Sequence, residues 1–472
     1  MALISLIDMG EEIKGHDSMW EEYNPSGYMK DSRIGIDEAL VRRISADKEE
    51  PEWMLEHRLH SLAVFQGMKL PNWGPDLSRL DLSQITYYAK AMEGQAKDWQ
   101  DMPDDIKNTF DKLGIPKAEQ EVLAGVGAQY ESTVIYHSLK ERFRKQGIIF
   151  EDMDKALREY PEIVKEYFMK AMPISLHKFA ALHGAVWSGG TFLYIPKGIK
   201  VEEPLQAYFR MNAMGMGQFE HTLIVIEEGA QGHYIEGCSA PRYGVDSLHA
   251  GGVEIYVKPG ARFRYSSVES WSKDAYNLNT KRAIVERDAH MEWVGGNFGS
   301  NTTMLYPCSI LVGERASADH LGVAFASRGQ IQDTGAKVIH VASDTSSNIV
   351  MKSISQRGGK AVYRGLVEVK EKAENTTISV KCDALLLDDQ SFSDTKPEMK
   401  ILNSSATIAH EASAGKINEE DLFYLRSRGI SENEAAAMIV NGFIEPIAKE
   451  LPLEYSVEMN RMVELEMENS VG

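Results

Sequence analysis

The sequence predicts a mainly β fold: a stacked coil of short strands with helical regions at both ends. Three observations predict it. A small-residue turn recurs before an alternating strand, at Gly229-Ala230, Gly260-Ala261, Asp288-Ala289 and Arg315-Ala316, and less cleanly at Thr345-Ser346, Ala373-Glu374 and Ser404-Ser405. The step is roughly 27–31 residues, a period typical of solenoids, propellers and arrays. The segments 191–196, 206–210, 222–226, 252–257 and 262–265 alternate with period two. No helical pattern long enough for a crossover separates them, which argues against a doubly wound or barrel α/β fold. An antiparallel sandwich is the alternative. A lone strand unit cannot bury its apolar side, so stacked copies must share one core.

Residues 1–185 read as mostly helical and irregular. Pro51 stands at a plausible first helical position, ahead of Trp53, Leu55, Leu59, Leu62 and Val64 near one face, and Gly67 closes that helix. Segments 133–144 and 160–172 are further amphipathic helix candidates. Trp20, Trp53, Trp73 and Trp99 are read as packing residues rather than stacking platforms. Residues 186–412 form the β coil. Residues 413–472 return to helix, with Asn418 as N-cap, a stop at Gly429, a capping box from Ser431 to Glu434, an end at Gly442 and a third helix over 453–468. These helices carry Met438, Ile439, Phe443, Ile444, Ile447 and Leu451. They read either as a cap on the coil or as a docking surface.

Composition limits the partners. The chain of 472 residues has 51 Lys and Arg against 70 Asp and Glu, a net charge of −19. That disfavours nucleic acid or an anionic membrane as the main partner. Three cysteines without a CxxC pair suit a reducing compartment. The acidic start is unlike a signal peptide, and the longest uncharged run, 179–196, is too polar and broken to span a membrane. A cytoplasmic protein is expected.

Chemistry-bearing motifs are sparse. The sequence contains no phosphate loop, no H-E-x-x-H, no zinc-spaced cysteine cluster and no nucleophile elbow. Cys382 lies on a strand with Ile378, Val380 and Ala384 pointing the same way, toward the coil interior. Such a cysteine is either a small core residue or a thiolate nucleophile or metal ligand. Cys238 follows a glycine at a strand end, and Cys308 reads as structural. His410 and Glu411 are competent iron ligands. Neighbours on a straight strand face opposite ways, so sharing one metal requires a strand end, a bulge or a subunit contact. A carbohydrate-acting coil using Asp388 and Asp389 is a rival.

Several stretches resemble a known family. They include Leu182-His-Gly-Ala-Val-Trp-Ser-Gly-Gly-Thr-Phe, Tyr234-Ile-Glu-Gly-Cys-Ser-Ala-Pro, Gln332-Asp-Thr-Gly-Ala-Lys, Lys381-Cys-Asp-Ala-Leu-Leu, Ala409-His-Glu-Ala-Ser and Asp421-Leu-Phe-Tyr-Leu-Arg-Ser-Arg-Gly-Ile-Ser. The chain resembles the SufB/SufD family of the SUF iron–sulfur cluster assembly system, over nearly its whole length, with the cysteine and ligand positions of the SufB side. The resemblance implies a right-handed parallel β-helix with helical ends. It implies a non-enzymatic scaffold for a transient iron–sulfur cluster, with cluster type and reduced-flavin binding left open. It implies partners: a SufC-type ATPase docked on the C-terminal helices, SufD or a second SufB-type chain, and a SufS-type desulfurase with its sulfur carrier. A SufD-like structural role without a cluster site is the alternative. Residue by residue, Cys238 matches a sulfur acceptor and Cys382 a cysteine needed for cluster building. His410 and Glu411 match proposed metal ligands alongside Cys382. Arg210 and Asn212 match an internal sulfur path. Some members carry a carboxylate where this chain has Ala409, and a lysine where it has Leu305.

Overall fold

The computed structural model of the chain describes residues 33–89, 123–130, 132–211, 215–240, 244–451 and 453–468. The core is a parallel β-helix of about eight turns. Its first wall stacks Leu205–Arg210, Gln231–Ser239, Arg262–Trp271, His290–Gly299, Ser317–Ala326, Ser346–Ser355, Thr377–Leu386 and Thr407–Lys416, each parallel to the next. The second wall runs from Thr191–Ile195 through His221–Ile226, Gly252–Val257, Thr280–Val285 and Cys308–Leu311 to Lys337–His340. A third, shorter wall stacks Gly217–Gln218, Ser247–His249, Ala275–Asn277, Thr302–Leu305 and Ile331–Thr334. The strand Lys360–Val369 then pairs with both: its first half with Ile331–Thr334, its second with Lys337–His340. There the coil passes from three walls to two, and Phe392–Ile401 continues the merged wall.

The recurring turn has a backbone cause. One corner of each turn carries a left-handed residue: Gly198, Gly229, Gly260, Asp288, Arg315, Asp344 and Asn375, with φ between 54° and 73°. Each of the first six donates its N–H to a carbonyl one turn further on, so the corners form their own ladder. At the two corners expected at Thr345-Ser346 and Ala373-Glu374, the left-handed residues are Asp344 and Asn375. Asp and Asn tolerate this conformation without being glycine, which blurs the sequence pattern. Inward side chains from the walls, such as Ile224, Ile255, Phe263 and Val285, fill a single apolar core.

The N-terminal region departs from expectation in three places. Thr133–Leu139 is a strand, and only Glu141–Arg144 is helical. The β-branched Thr133, Val134 and Ile135 favour extension, and this strand pairs antiparallel with Gly125–Tyr130, which extends the first wall beside Leu205–Arg210. The helix Glu52–Gly67 takes Pro51 as its N-cap and buries Met54, Arg58, Ser61, Leu62 and Phe65, so of the expected face only Leu62 is buried. Apolar residues surround that helix. The face is chosen by Arg58, which pairs with Glu50 and donates to the carbonyls of Ala185 and Trp187. The expected helix over 160–172 is shorter, Pro161–Tyr167. The backbone N–H groups of Met169, Ala171 and Met172 turn instead to the buried Glu254 carboxylate. Trp53 packs on Phe168, and Trp73 on His177 and Tyr306. Trp20 and Trp99 lie outside the described residues.

At the C-terminus Asn418 caps Glu419–Ser427, and Gly429 follows with φ 89°. The capping box of Ser431 and Glu434 opens Glu432–Ala448, which runs through Gly442 rather than ending there. A helical glycine costs about 1 kcal/mol, and packing offsets it. Val440, Ile444 and Ile447, with Met459 and Val463 of Leu453–Glu468, lie on the outer side of the first wall against Val268, Val294, Val323 and Phe325. These two helices therefore brace the coil's flank and do not cap its end. The helix Glu419–Ser427 buries nothing.

Candidate functional site

The last complete turns position the first candidate. Along Thr377–Leu386, Ile378, Val380 and Cys382 are buried while Ser379 and Lys381 are exposed. Cys382 is 5% exposed and belongs to the coil's core. Tyr363, reaching from the merged wall, hydrogen-bonds the Cys382 sulfur. Burial pushes the Cys382 thiol up to about 12, against the downward pull of that hydroxyl.

Register decides the His410-Glu411 pair. In Thr407–Lys416, His410 lies beside Val380, Glu411 beside Lys381 and Ala412 beside Cys382. Aligned residues of parallel strands share a face. His410 therefore stands in the inward row with Cys382, one strand over and two positions along. Glu411 stands in the outward row, 3.9 Å from Lys381. The structure brings Cys382 and His410 to one face and turns Glu411 to the other. Among the described residues no strand follows Thr407–Lys416 in its wall, so this row ends open.

Cys238 lies deeper, 1% exposed, on the inward row of Gln231–Ser239 with Tyr234 and Glu236. Burial raises its thiol pKa far above the usual value, and the nearby Glu236, Glu269 and Glu220 charges add to the rise. Lys281 answers them, with Nζ 2.7 Å from Glu269 and 3.3 Å from Glu236. Burial opposes its charge, but the Glu269 and Glu236 carboxylates hold the ammonium pKa above normal. A cavity of about 50 Å3 is lined among others by Lys281, Tyr265, Trp293, His320, Tyr363 and Cys382; Cys238 does not line it.

Arg210 does not share that interior. It aligns with Ser239, while Phe209 aligns with Cys238. Its Nη1 donates to Ser239 Oγ at 2.8 Å on the opposite side of the wall. An internal path through Arg210 is therefore not what the register provides. Asn212 lies outside the described residues. Asp388 and Asp389 form no catalytic pair either. Asp388 accepts from the turn N–H groups of Arg357, Gln390 and Ser391, and Asp389 is exposed and paired with Lys416. Lys281, Glu236 and Glu269 escaped sequence reasoning. Their signal is a charge on an inward position of a strand, as Glu236 shows two residues before Cys238.

Two family models match the chain: the N-terminal region of SufBD proteins over residues 47–207, and the SufBD core domain of the SUF iron–sulfur cluster assembly system over 209–443. The chain belongs to the SufBD family. An iron–sulfur cluster assembly protein SufB of Bacillus subtilis is 54% identical over 441 residues, covering 93% of this chain and 95% of the relative. SufBD family proteins of Staphylococcus saprophyticus and Staphylococcus haemolyticus match with the same identity and coverage. SufBD proteins are assembly proteins, and iron–sulfur cluster assembly is the process this chain serves. No helix among the described residues is long and apolar enough to cross a membrane.

Proposed function

We propose that this chain is the scaffold on which iron–sulfur clusters are built from persulfide sulfur and iron, then passed to apo-proteins. Its partners are a SufC-type ATPase, SufD or a second copy of the chain, and a SufS-type desulfurase with its carrier. The setting is the cytoplasm. The observation that carries this reading is the shared inward row of Cys382 and His410 at the uncovered last turn. A thiolate and an imidazole there can hold iron, and an open strand edge invites a second chain. The 54% identity to a protein named SufB favours this role over that of a structural partner.

Sulfur enters at Cys238 and reaches Cys382 through the coil interior, shielded from oxidants. Each transfer is attack of a thiolate on sulfane sulfur, which releases the donor thiolate. Lys281 supplies the positive charge that an anionic sulfur needs in this interior. Cys382 and His410 then receive iron, and Glu411 joins them only where the strand rearranges at the inter-chain seam. Residues 413–472 dock the ATPase through the unburied helix Glu419–Ser427. ATP-driven motion of the complex exposes Cys382, so thiol labelling should differ with and without ATP; equal labelling counts against gating. The scaffold itself is tested by anaerobic reconstitution with iron and sulfide. Wild-type protein should gain visible cluster absorbance, and Cys382→Ser should lose it. An unchanged spectrum in Cys382→Ser would sink the assignment.

A further inference from the structure

We propose that Glu220, Cys238 and His249 form a binding site for a divalent transition-metal ion inside the closed end of the coil, separate from Cys382 and His410. The three residues come from three walls. Glu220 precedes the second-wall strand His221–Ile226, Cys238 sits in the first wall, and His249 ends the third-wall strand Ser247–His249. Their ligand atoms all lie within 4.8 Å of one another. None of the three is more than 2% exposed. A carboxylate, a thiolate and an imidazole suit Fe(II), Co(II) or Zn(II), whereas Mg(II) and Ca(II) prefer all-oxygen sets.

The surroundings orient these groups beyond mere proximity. Asn277 Nδ2 donates to Glu269 Oε2 at 2.6 Å, so its Oδ1 must accept. His249 Nδ1 donates to that oxygen at 2.9 Å. The proton is thereby fixed on Nδ1, and Nε2 is left facing Glu220 Oε1 at 2.5 Å. Metal-binding histidines are held this way, with the second ring nitrogen donating to a fixed acceptor. Independently, Glu220 Oε2 is buried without a hydrogen-bond partner. Gly251 leaves room for this carboxylate, since a Cβ there would lie 2.2 Å from Glu220 Oε1.

His249 Nε2 and Glu220 Oε1 lie 2.5 Å apart. A divalent ion seated between them and Cys238 would bind the cysteine as its thiolate, and the two anionic ligands offset the two positive charges that the ion brings into a low-dielectric interior. The natural ion rests on the scaffold reading, which makes it Fe(II); the site itself does not.

The test titrates full-length, reduced protein anaerobically with Co(II) as the probe. One equivalent should bring a thiolate-to-cobalt charge-transfer band and visible d–d bands. Cys238→Ser should lose the charge-transfer band. Glu220→Gln, which preserves shape, should weaken binding at least about tenfold. Cys308→Ser, which touches neither site, should leave the titration unchanged, and the charge-transfer band should persist in Cys382→Ser. The proposal is overturned if the band survives Cys238→Ser and vanishes in Cys382→Ser. It is overturned equally if folded wild-type protein, checked by circular dichroism, binds no stoichiometric Co(II). Should Cys238→Ser misfold, X-ray absorption of zinc-loaded Cys382→Ser protein decides: one sulfur at about 2.3 Å is expected, and its absence overturns the site. Failed cluster reconstitution with an intact cobalt signal would remove the scaffold role and leave this site standing.

Discussion

The first turns of the coil and its last turn share one strand pattern and treat their polar groups in opposite ways. Leu205–Arg210 is buried at every position, whereas Thr407–Lys416 is exposed at nearly every one. In the early turns the inward charges answer one another, Lys281 meeting Glu236 and Glu269. At the last turn the inward row carries Cys382 and His410 to an edge beyond which no described strand lies, and the ion pair of Lys381 and Glu411 sits outside in solvent. Burial makes the first end self-sufficient. The other end keeps a reactive row and unpaired backbone, which is a template for a neighbouring chain.

Four experiments test whether the two ends differ in this way. The largest effect is expected from Cys382→Ser, which should drop reconstituted cluster absorbance to the protein-free background, while Cys308→Ser keeps the wild-type spectrum. Equal loss in both would erase the special status of the open end. Next, Lys281→Met leaves two buried carboxylates without their cation and should cost roughly 3–5 kcal/mol in urea unfolding. The matching change at the open end, Lys381→Met, should cost no more than about 0.5 kcal/mol. Similar costs at both positions would mean that the two ends do not differ in burial.

A smaller effect concerns acid. Burial holds the His320 pKa down to about 3, against about 6.5 in the unfolded chain. Between these values the unfolded state binds the proton and the folded state does not. Stability is therefore fully present above pH 6.5 and falls as the pH drops toward 3, by up to about 1.4 kcal/mol per pH unit for this group. The urea midpoint should decline on acidification, and His320→Gln should flatten the decline. A midpoint as acid-sensitive in His320→Gln as in wild type would show that this interior histidine is not responsible. The smallest effect on stability belongs to Phe423 and Tyr424, 75% and 56% exposed on the unburied helix. Replacing both by alanine should shift stability within about 0.5 kcal/mol yet abolish co-purification with the proposed ATPase partner; retained co-purification would place docking elsewhere.

Much of this protein was legible in its residues. The small-residue corners at Gly229, Gly260 and Asp288 announced the coil, because a backbone that must turn left-handed at each corner leaves a periodic trace. Asn418 and the Ser431–Glu434 box announced their helices, because capping is chemistry between near neighbours. The inward orientation of Cys382 followed from alternation alone. Other features depended on partners outside the element itself. Thr133–Leu139 became a strand because Gly125–Tyr130 paired with it, and Glu432–Ala448 continued past Gly442 because the coil's flank covered its apolar side. Register against Thr377–Leu386 decided that His410 and not Glu411 shares the inward row of Cys382, and register against Gln231–Ser239 set Arg210 away from Cys238. Local chemistry thus determined where the corners and caps fall and which way a strand's residues alternate. Only the stacking of turns decided which residues meet, because contacts between turns join positions about thirty residues apart and no local pattern encodes their alignment.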